Sequence, residues 1–225
     1  MNSIPGIPSG LLTSQPQNVA TTVQLLLILT VLSLAPAILI MMTSFTRIII
    51  VLSFVRTSLS TQQMPPNQVL IGLALFLTFF IMAPVYGQIN SDAIQPYMKG
   101  KITQQQAMTR AEDPVKTFMA RETREKDLQL FMSYGKYKMP SKIQDIPLTA
   151  LVPAFTISEL TTAFQMGFMI FIPFLVIDMV VASILMAMGM MMLPPVMISL
   201  PFKILLFIMV DGWYLIVVSL LKSYQ

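Results

Sequence analysis

The chain contains neither cysteine nor histidine. Their absence excludes thiol nucleophiles, disulfides and imidazole acid–base chemistry, and with them most zinc, haem and iron–sulfur sites. With no thiol to oxidise, cysteine usage carries no signal about redox compartment. Charge is scarce too. Only 11% of the 225 residues are charged, against 55% hydrophobic, whereas a soluble domain carries about a quarter charged residues. Residues 1–46 hold no charged side chain. A secretory signal needs a positive start, and residues 1–22 offer none, so they read as an uncharged tail that crosses a membrane cheaply. No phosphate-binding Gly-rich motif is present to supply nucleotide energy.

The charge that is present is segregated. Residues 87–147 carry ten Lys/Arg and seven Asp/Glu, which leaves Arg47, Arg56, Glu159, Asp178, Lys203, Asp211 and Lys222 for the rest of the chain. The net charge of +4 is too mixed in sign for a nucleic-acid surface. Four apolar segments stand out, at about 23–42 (with Pro36 as an interruption), 69–86, 164–192 and 196–221. Each approaches the ~20 residues that cross ~30 Å of hydrocarbon, and each is too long and continuous for a strand. The pattern predicts an all-α membrane protein. Its parts are a tail (1–22), a first hydrophobic hairpin (23–86), a polar helical insert (87–147) and a second hydrophobic hairpin (148–225). The run between Arg47 and Arg56 is too short to span, so a continuation of the first helix or an interfacial turn is expected there. The same two arginines favour a cytoplasmic first loop, which puts 87–147 on the outer side.

Local signals refine the insert. Thr103-Gln104-Gln105-Gln106 fits a capping box. Asp113-Pro114 fits a helix start, and Arg121/Glu125 and Glu122/Lys126 have the i,i+4 spacing of helix-surface ion pairs. Thr156-Ile157-Ser158-Glu159 also fits a capping box, which gives Glu159 a reason to exist without function. Gly167, Ala182, Ser183, Ala187 and Gly189 are small enough for close helix approach.

Charges in apolar runs are the chemical candidates, because a mid-membrane charge costs roughly 3 kcal/mol or more unless it finds a partner or water. Asp178, Lys203 and Asp211 qualify. Lys203 and Asp211 are eight residues apart, ~12 Å along a helix, so one straight helix cannot pair them. Across a bend near residue 194, Asp178 and Lys203 come near in height without matching, which makes pairing between copies of the chain plausible. An ion pathway through these charges is the competing reading. An intramembrane aspartyl protease would need Asp178 and Asp211 to share a proton, but no Gly-rich opening flanks either. No coherent catalytic site, cofactor site or metal site is expected.

The last feature is Met190-Met191-Met192. It follows Gly189 and precedes Pro194-Pro195, through which a helix does not run. Methionine is flexible and polarizable and fills irregular space. Three in a row at a bend suit a soft apolar seal better than lipid-facing filler.

Six motifs in order then carry a resemblance. They are Thr43-Ser44-Phe45-Thr46-Arg47, Gln62-Gln63-Met64-Pro65-Pro66-Asn67-Gln68-Val69-Leu70, and Pro153-Ala154-Phe155-Thr156-Ile157-Ser158-Glu159-Leu160 with Ala163-Phe164-Gln165-Met166-Gly167-Phe168. Next come Pro173-Phe174 with Asp178, the methionine loop at 188–195, and Pro201-Phe202-Lys203 followed by Asp211-Gly212-Trp213. From about residue 21 onward the chain resembles the FliP/SctR family of type III secretion export gates, and its 68–85 run looks closer to the flagellar branch than to the injectisome branch. The resemblance implies five copies with FliQ-type and FliR-type subunits in a closed helical pore complex. It also implies FlhB-type and FlhA-type export components nearby, and unfolded export substrates. It implies the bacterial inner membrane within the flagellar basal body, with much of the assembly towards the periplasm. In it, Met190, Met191 and Met192 form a gasket, Gly189, Pro194 and Pro195 set its turn, and Glu159, Asp178, Lys203 and Asp211 make inter-subunit polar contacts. A small ion channel or proton-coupled transporter is the alternative from another class.

Overall fold

The computed structural model describes residues 16–225 apart from Gln62, Met139, Ser141, Met191 and Gln225. Of the expected tail, 1–15 lies outside these residues, and the remainder belongs to the first helix. The chain divides into two compact units, Met1–Ile40 and Met41–Gln225.

The first unit is carried by α1, Pro16–Met42, which continues through Pro36 without the expected interruption. Two of its hydroxyls are satisfied locally: Thr30 and Ser33 donate to the Leu26 and Thr30 carbonyls at 2.8 Å each.

In the second unit, α2 (Phe45–Ser58) forms the centre of the core. It is neither a continuation of α1 nor an interfacial turn. Ile48, Val51, Leu52 and Val55 fall at i, i+3, i+4 and i+7 and are fully buried, the spacing of an apolar helix face. This face packs chiefly against α7 and α3. The second helix, α3 (Asn67–Ile89), starts behind Pro66 and runs through Pro84. A π-helical turn, Asn90–Ile94, joins it to the short α4, Gln95–Met98. Together they make one 32-residue apolar helix.

The insert is helical as expected, with α5 at Gln104–Glu122 and α6 at Glu125–Tyr134. The Thr103 capping box forms: the Gln106 amide donates to Thr103 Oγ1 at 3.3 Å, and the Thr103 amide donates to Gln106 Oε1 at 3.0 Å. Asp113-Pro114 does not start a helix. It lies inside α5, because the cap ten residues upstream already commits the chain and the Pro114 ring is buried. The break between Glu122 and Glu125 also separates the expected Arg121/Glu125 and Glu122/Lys126 pairs. The i,i+4 ion pair that forms is Glu112–Lys116, at 3.4 Å.

The longest element is α7, Leu148–Ala187, with 40 residues. At 1.5 Å per residue it measures about 60 Å, roughly twice the hydrocarbon thickness. It starts well before the apolar stretch expected at 164, because its first turns are held by packing. Ala150, Leu151 and Phe155 are buried against Met119 of α5 and Met132 of α6. The expected helix start at Thr156 is therefore mid-helix, and the Thr156 hydroxyl donates back to the Val152 carbonyl at 2.8 Å. Tertiary burial overrides a cap signal worth about 1 kcal/mol.

The fourth apolar segment is two helices, α8 (Pro195–Met209) and α9 (Gly212–Lys222), bent by 63°. Asp211 takes a left-handed conformation at the corner, with φ +50°. Gly212 is required there, since a Cβ would sit 2.3 Å from the Phe207 ring. The chain is thus an all-α membrane protein. Among the described residues two helices, Asn67–Met98 and Leu148–Ala187, are long and apolar enough to span, or three spans exist if the bent pair counts as one.

Gly167 of α7 packs against Phe54 of α2. A Cβ there would lie 2.4 Å from the Phe54 ring, which is itself set edge-on against Phe164 with centroids 5.3 Å apart. Gly167→Val is expected to destabilise the protein by about 1–3 kcal/mol, the range for overpacking. Denaturation of the detergent-solubilised chain measures this, and an unchanged midpoint would mean that the two helices separate freely.

Candidate functional site

Three features draw together the residues that carry charge or unusual side chains. The first is a buried network around Arg47 of α2. Arg47 is 2% exposed and Glu159 of α7 is 0% exposed. The Arg47 Nε donates to Glu159 Oε2 at 3.0 Å, and its Nη2 donates to the other carboxylate oxygen. This is the two-pronged fit that guanidinium and carboxylate planes allow. The same Nη2 reaches Glu122 Oε2 at the end of α5, at 3.1 Å. Nη1 donates to both the carbonyl and the hydroxyl of Ser223 at 3.0 Å. The Tyr224 ring lies 3.9 Å from the guanidinium carbon, and its hydroxyl donates to Glu159 Oε2. Burial first, and then the adjacent Glu159 carboxylate, push the Tyr224 hydroxyl well above its ordinary range, so it keeps its proton and remains a donor.

One guanidinium therefore ties together α2, α5, α7 and the segment after α9. A neighbouring cluster fixes α6 to the same stretch of α7. There the Ser158 hydroxyl donates to Asp127 Oδ2 at 2.7 Å and accepts from the Arg124 amide at 3.0 Å.

The second feature is the pair Asp178–Lys203, joining α7 to α8. Lys203 Nζ lies 2.6 Å from Asp178 Oδ2 and donates at 2.6 Å to the hydroxyl of Ser60, in the turn after α2. Ser199 supplies a hydroxyl to the other Asp178 oxygen. Lys203 is 1% exposed.

These contacts give Glu159, Asp178 and Lys203 partners within one chain, beside the contacts between subunits that the sequence reading expects of them. Counting from a single bend near residue 194 leaves Asp178 and Lys203 unmatched in height, but α7 ends at Ala187 and α8 begins at Pro195, so the two charges lie at similar distances from the ends of their helices. Asp211 behaves differently. Its backbone carbonyl accepts from the Leu215 amide at 3.1 Å, and its exposed carboxylate has no ion pair among the described residues. Asp178 is held by Lys203 and Ser199, and no hydrogen bond joins it to Asp211, so the shared-proton dyad does not form. Sequence reasoning missed Glu122, Tyr224, Ser60 and Ser199. It used Arg47 to bound a short run, to orient the chain and as part of a family motif, and gave it no partner, although an arginine inside the apolar run beginning at Phe45 carried the same signal as Glu159.

The third feature is the methionine loop between α7 and α8. Gly189 ends α7 with φ +74°, a conformation glycine adopts without strain. Pro194 precedes the first turn of α8 and Pro195 occupies it, where a missing N–H costs nothing. Between them Met192 is 98% exposed and Met190 is 39% exposed; Met191 lies outside the described residues. Behind the loop is an apolar hollow of about 330 Å³, lined by Ala182, Leu185, Met186, Met190, Leu193 and Pro195. Among the described residues no Asp/Glu cluster could hold a metal.

The chain is similar to known proteins over most of its length. A family model described as the FliP family matches residues 28–220. The chain is 71% identical over 211 residues to the flagellar biosynthetic protein FliP of Bacillus subtilis (strain 168), covering 94% of this chain and 96% of that protein. It is 51% identical to the protein of that name from Aquifex aeolicus (strain VF5), covering 92% of this chain and 88% of the relative. The corresponding protein of Pectobacterium carotovorum subsp. carotovorum is 52% identical, with coverage of 98% and 86%.

Proposed function

The chain belongs to the FliP family, and from that premise we propose that it is a core pore subunit of the flagellar type III export gate, a gated conduit for unfolded export substrates. The observation that carries this reading is the methionine loop. A turn fixed at one end by Gly189 and at the other by Pro194 and Pro195 presents exposed thioether side chains. In several copies around an axis, Met190, Met191 and Met192 would close the pore. A ring of flexible apolar side chains seals against itself and also around a passing chain of any sequence.

In this reading the chain acts in five copies with FliQ-type and FliR-type subunits, beside FlhB-type and FlhA-type components. It resides in the bacterial inner membrane, with the 87–147 insert towards the periplasm. The exposed Asp211 is available to act between subunits, and the Arg47 and Lys203 networks hold each subunit rigid. The flagellar names of the relatives favour the flagellar system over the injectisome.

Ion leak tests the seal. The triple change Met190→Ala, Met191→Ala, Met192→Ala is expected to raise resting ion conductance of the assembled complex several-fold without lowering its yield. An assembled alanine complex as tight as wild type would remove the seal from the proposal.

A further inference from the structure

We infer that Met190 and Met192 are oxidation sites, and that converting their thioethers to sulfoxides opens the seal. This inference rests on the gasket reading above and adds a chemical modification to it. The chain has no cysteine, so no thiol intercepts an oxidant and the thioethers are its reactive sulfurs. Their accessibility differs sharply. Met82, Met119 and Met132 lie in the core at 1%, 0% and 1% exposure, whereas Met192 is 98% exposed.

With hypochlorous acid the step is balanced. The thioether sulfur gives up two electrons and gains one oxygen, and the oxidant leaves as chloride and a proton. The product is polar and strongly hydrogen-bond accepting, the opposite of what an apolar seal requires.

The surroundings of Met190 sharpen the consequence. Its side chain borders the hollow formed with Ala182, Leu185, Met186, Leu193 and Pro195, and none of these five side chains carries a hydrogen-bond donor. A sulfoxide oxygen turned into that hollow would have no side-chain partner, so burial disfavours it. The oxidised side chain is driven out of the hollow towards water, and a wetted constriction conducts ions. Because sulfoxide reductases act on free and accessible sulfoxides, the change is reversible.

The test uses the assembled export complex in membrane vesicles, treated with dilute hypochlorous acid. The comparison is with the triple change Met190→Leu, Met191→Leu, Met192→Leu, which keeps the loop apolar but removes every loop thioether. Wild-type leak is expected to rise several-fold and to fall back after treatment with the two methionine sulfoxide reductases. The leucine complex is expected to stay tight throughout. Mass spectrometry locates the sulfoxides. An unchanged leak with Met190 and Met192 oxidised, a leucine complex that leaks equally after treatment, or no sulfoxide in the loop would each overturn the inference. The alanine complex separates the two ideas. If it leaks while the oxidised wild type does not, only the oxidation inference fails; if it does not leak, the seal itself is gone.

Discussion

Arg47→Leu is expected to destabilise the subunit by about 3–5 kcal/mol, the cost of stranding a buried charge. The substitution keeps an apolar side chain on α2 but takes the cation from two carboxylates. Glu122 retains Arg121, whose Nε lies 3.5 Å away. Glu159 retains only the Tyr224 hydroxyl and is fully buried, so it bears most of the loss. The double change Arg47→Leu/Glu159→Leu should be milder than the single one, because it removes the charges together. Denaturation in detergent gives both values. A loss below about 1 kcal/mol for Arg47→Leu, as in a solvated pair, would mean that water reaches this network. The same variant should free the Ser223–Tyr224 segment and the α5–α6 insert, detected as faster proteolysis near residues 122 and 222.

The second large effect is expected at Asp178–Lys203, and its order is informative. Lys203 has a side chain 1% exposed, whereas that of Asp178 is 22% exposed. Asp178→Leu therefore leaves a buried ammonium with only the Ser60 hydroxyl, and should cost about 3 kcal/mol or more. Lys203→Met leaves the better-solvated member and should cost less. Size-exclusion yield of the complex and export rate should fall together in both. An ion relay through these residues makes the opposite forecast: normal assembly with transport abolished, most cleanly in Asp178→Asn. That outcome would reassign the pair from scaffold to pathway.

Particular residues explain which parts of the fold were legible. The capping box at Thr103 was read correctly because both of its partners lie within four residues. The similar pattern at Thr156 misled, because Phe155 and Leu151 are buried against the insert, and that burial extends α7 back to Leu148. Helix existence followed from apolar runs, while helix ends followed from packing. The break at Asp211 left no signal in hydropathy, since apolar residues continue on both sides of it. The site was legible in the same uneven way. The methionine loop is contiguous in sequence, so its composition and its bounding Gly and Pro were visible at once. Arg47 and Glu159 are 112 residues apart, and no local pattern links them.

By itself the sequence determined that this protein is helical, apolar and membrane-bound. It also determined that thiol and imidazole chemistry is absent, and that a methionine turn interrupts its second hydrophobic half. Those properties follow from composition and short-range periodicity, which act through solvent and through neighbours along the chain. Only the tertiary structure decided who pairs with whom. It brought Arg47 to Glu159, Glu122 and Tyr224, and Lys203 to Asp178 and Ser60. A buried charge takes whichever opposite charge the packing brings within reach, and that reach is set in three dimensions.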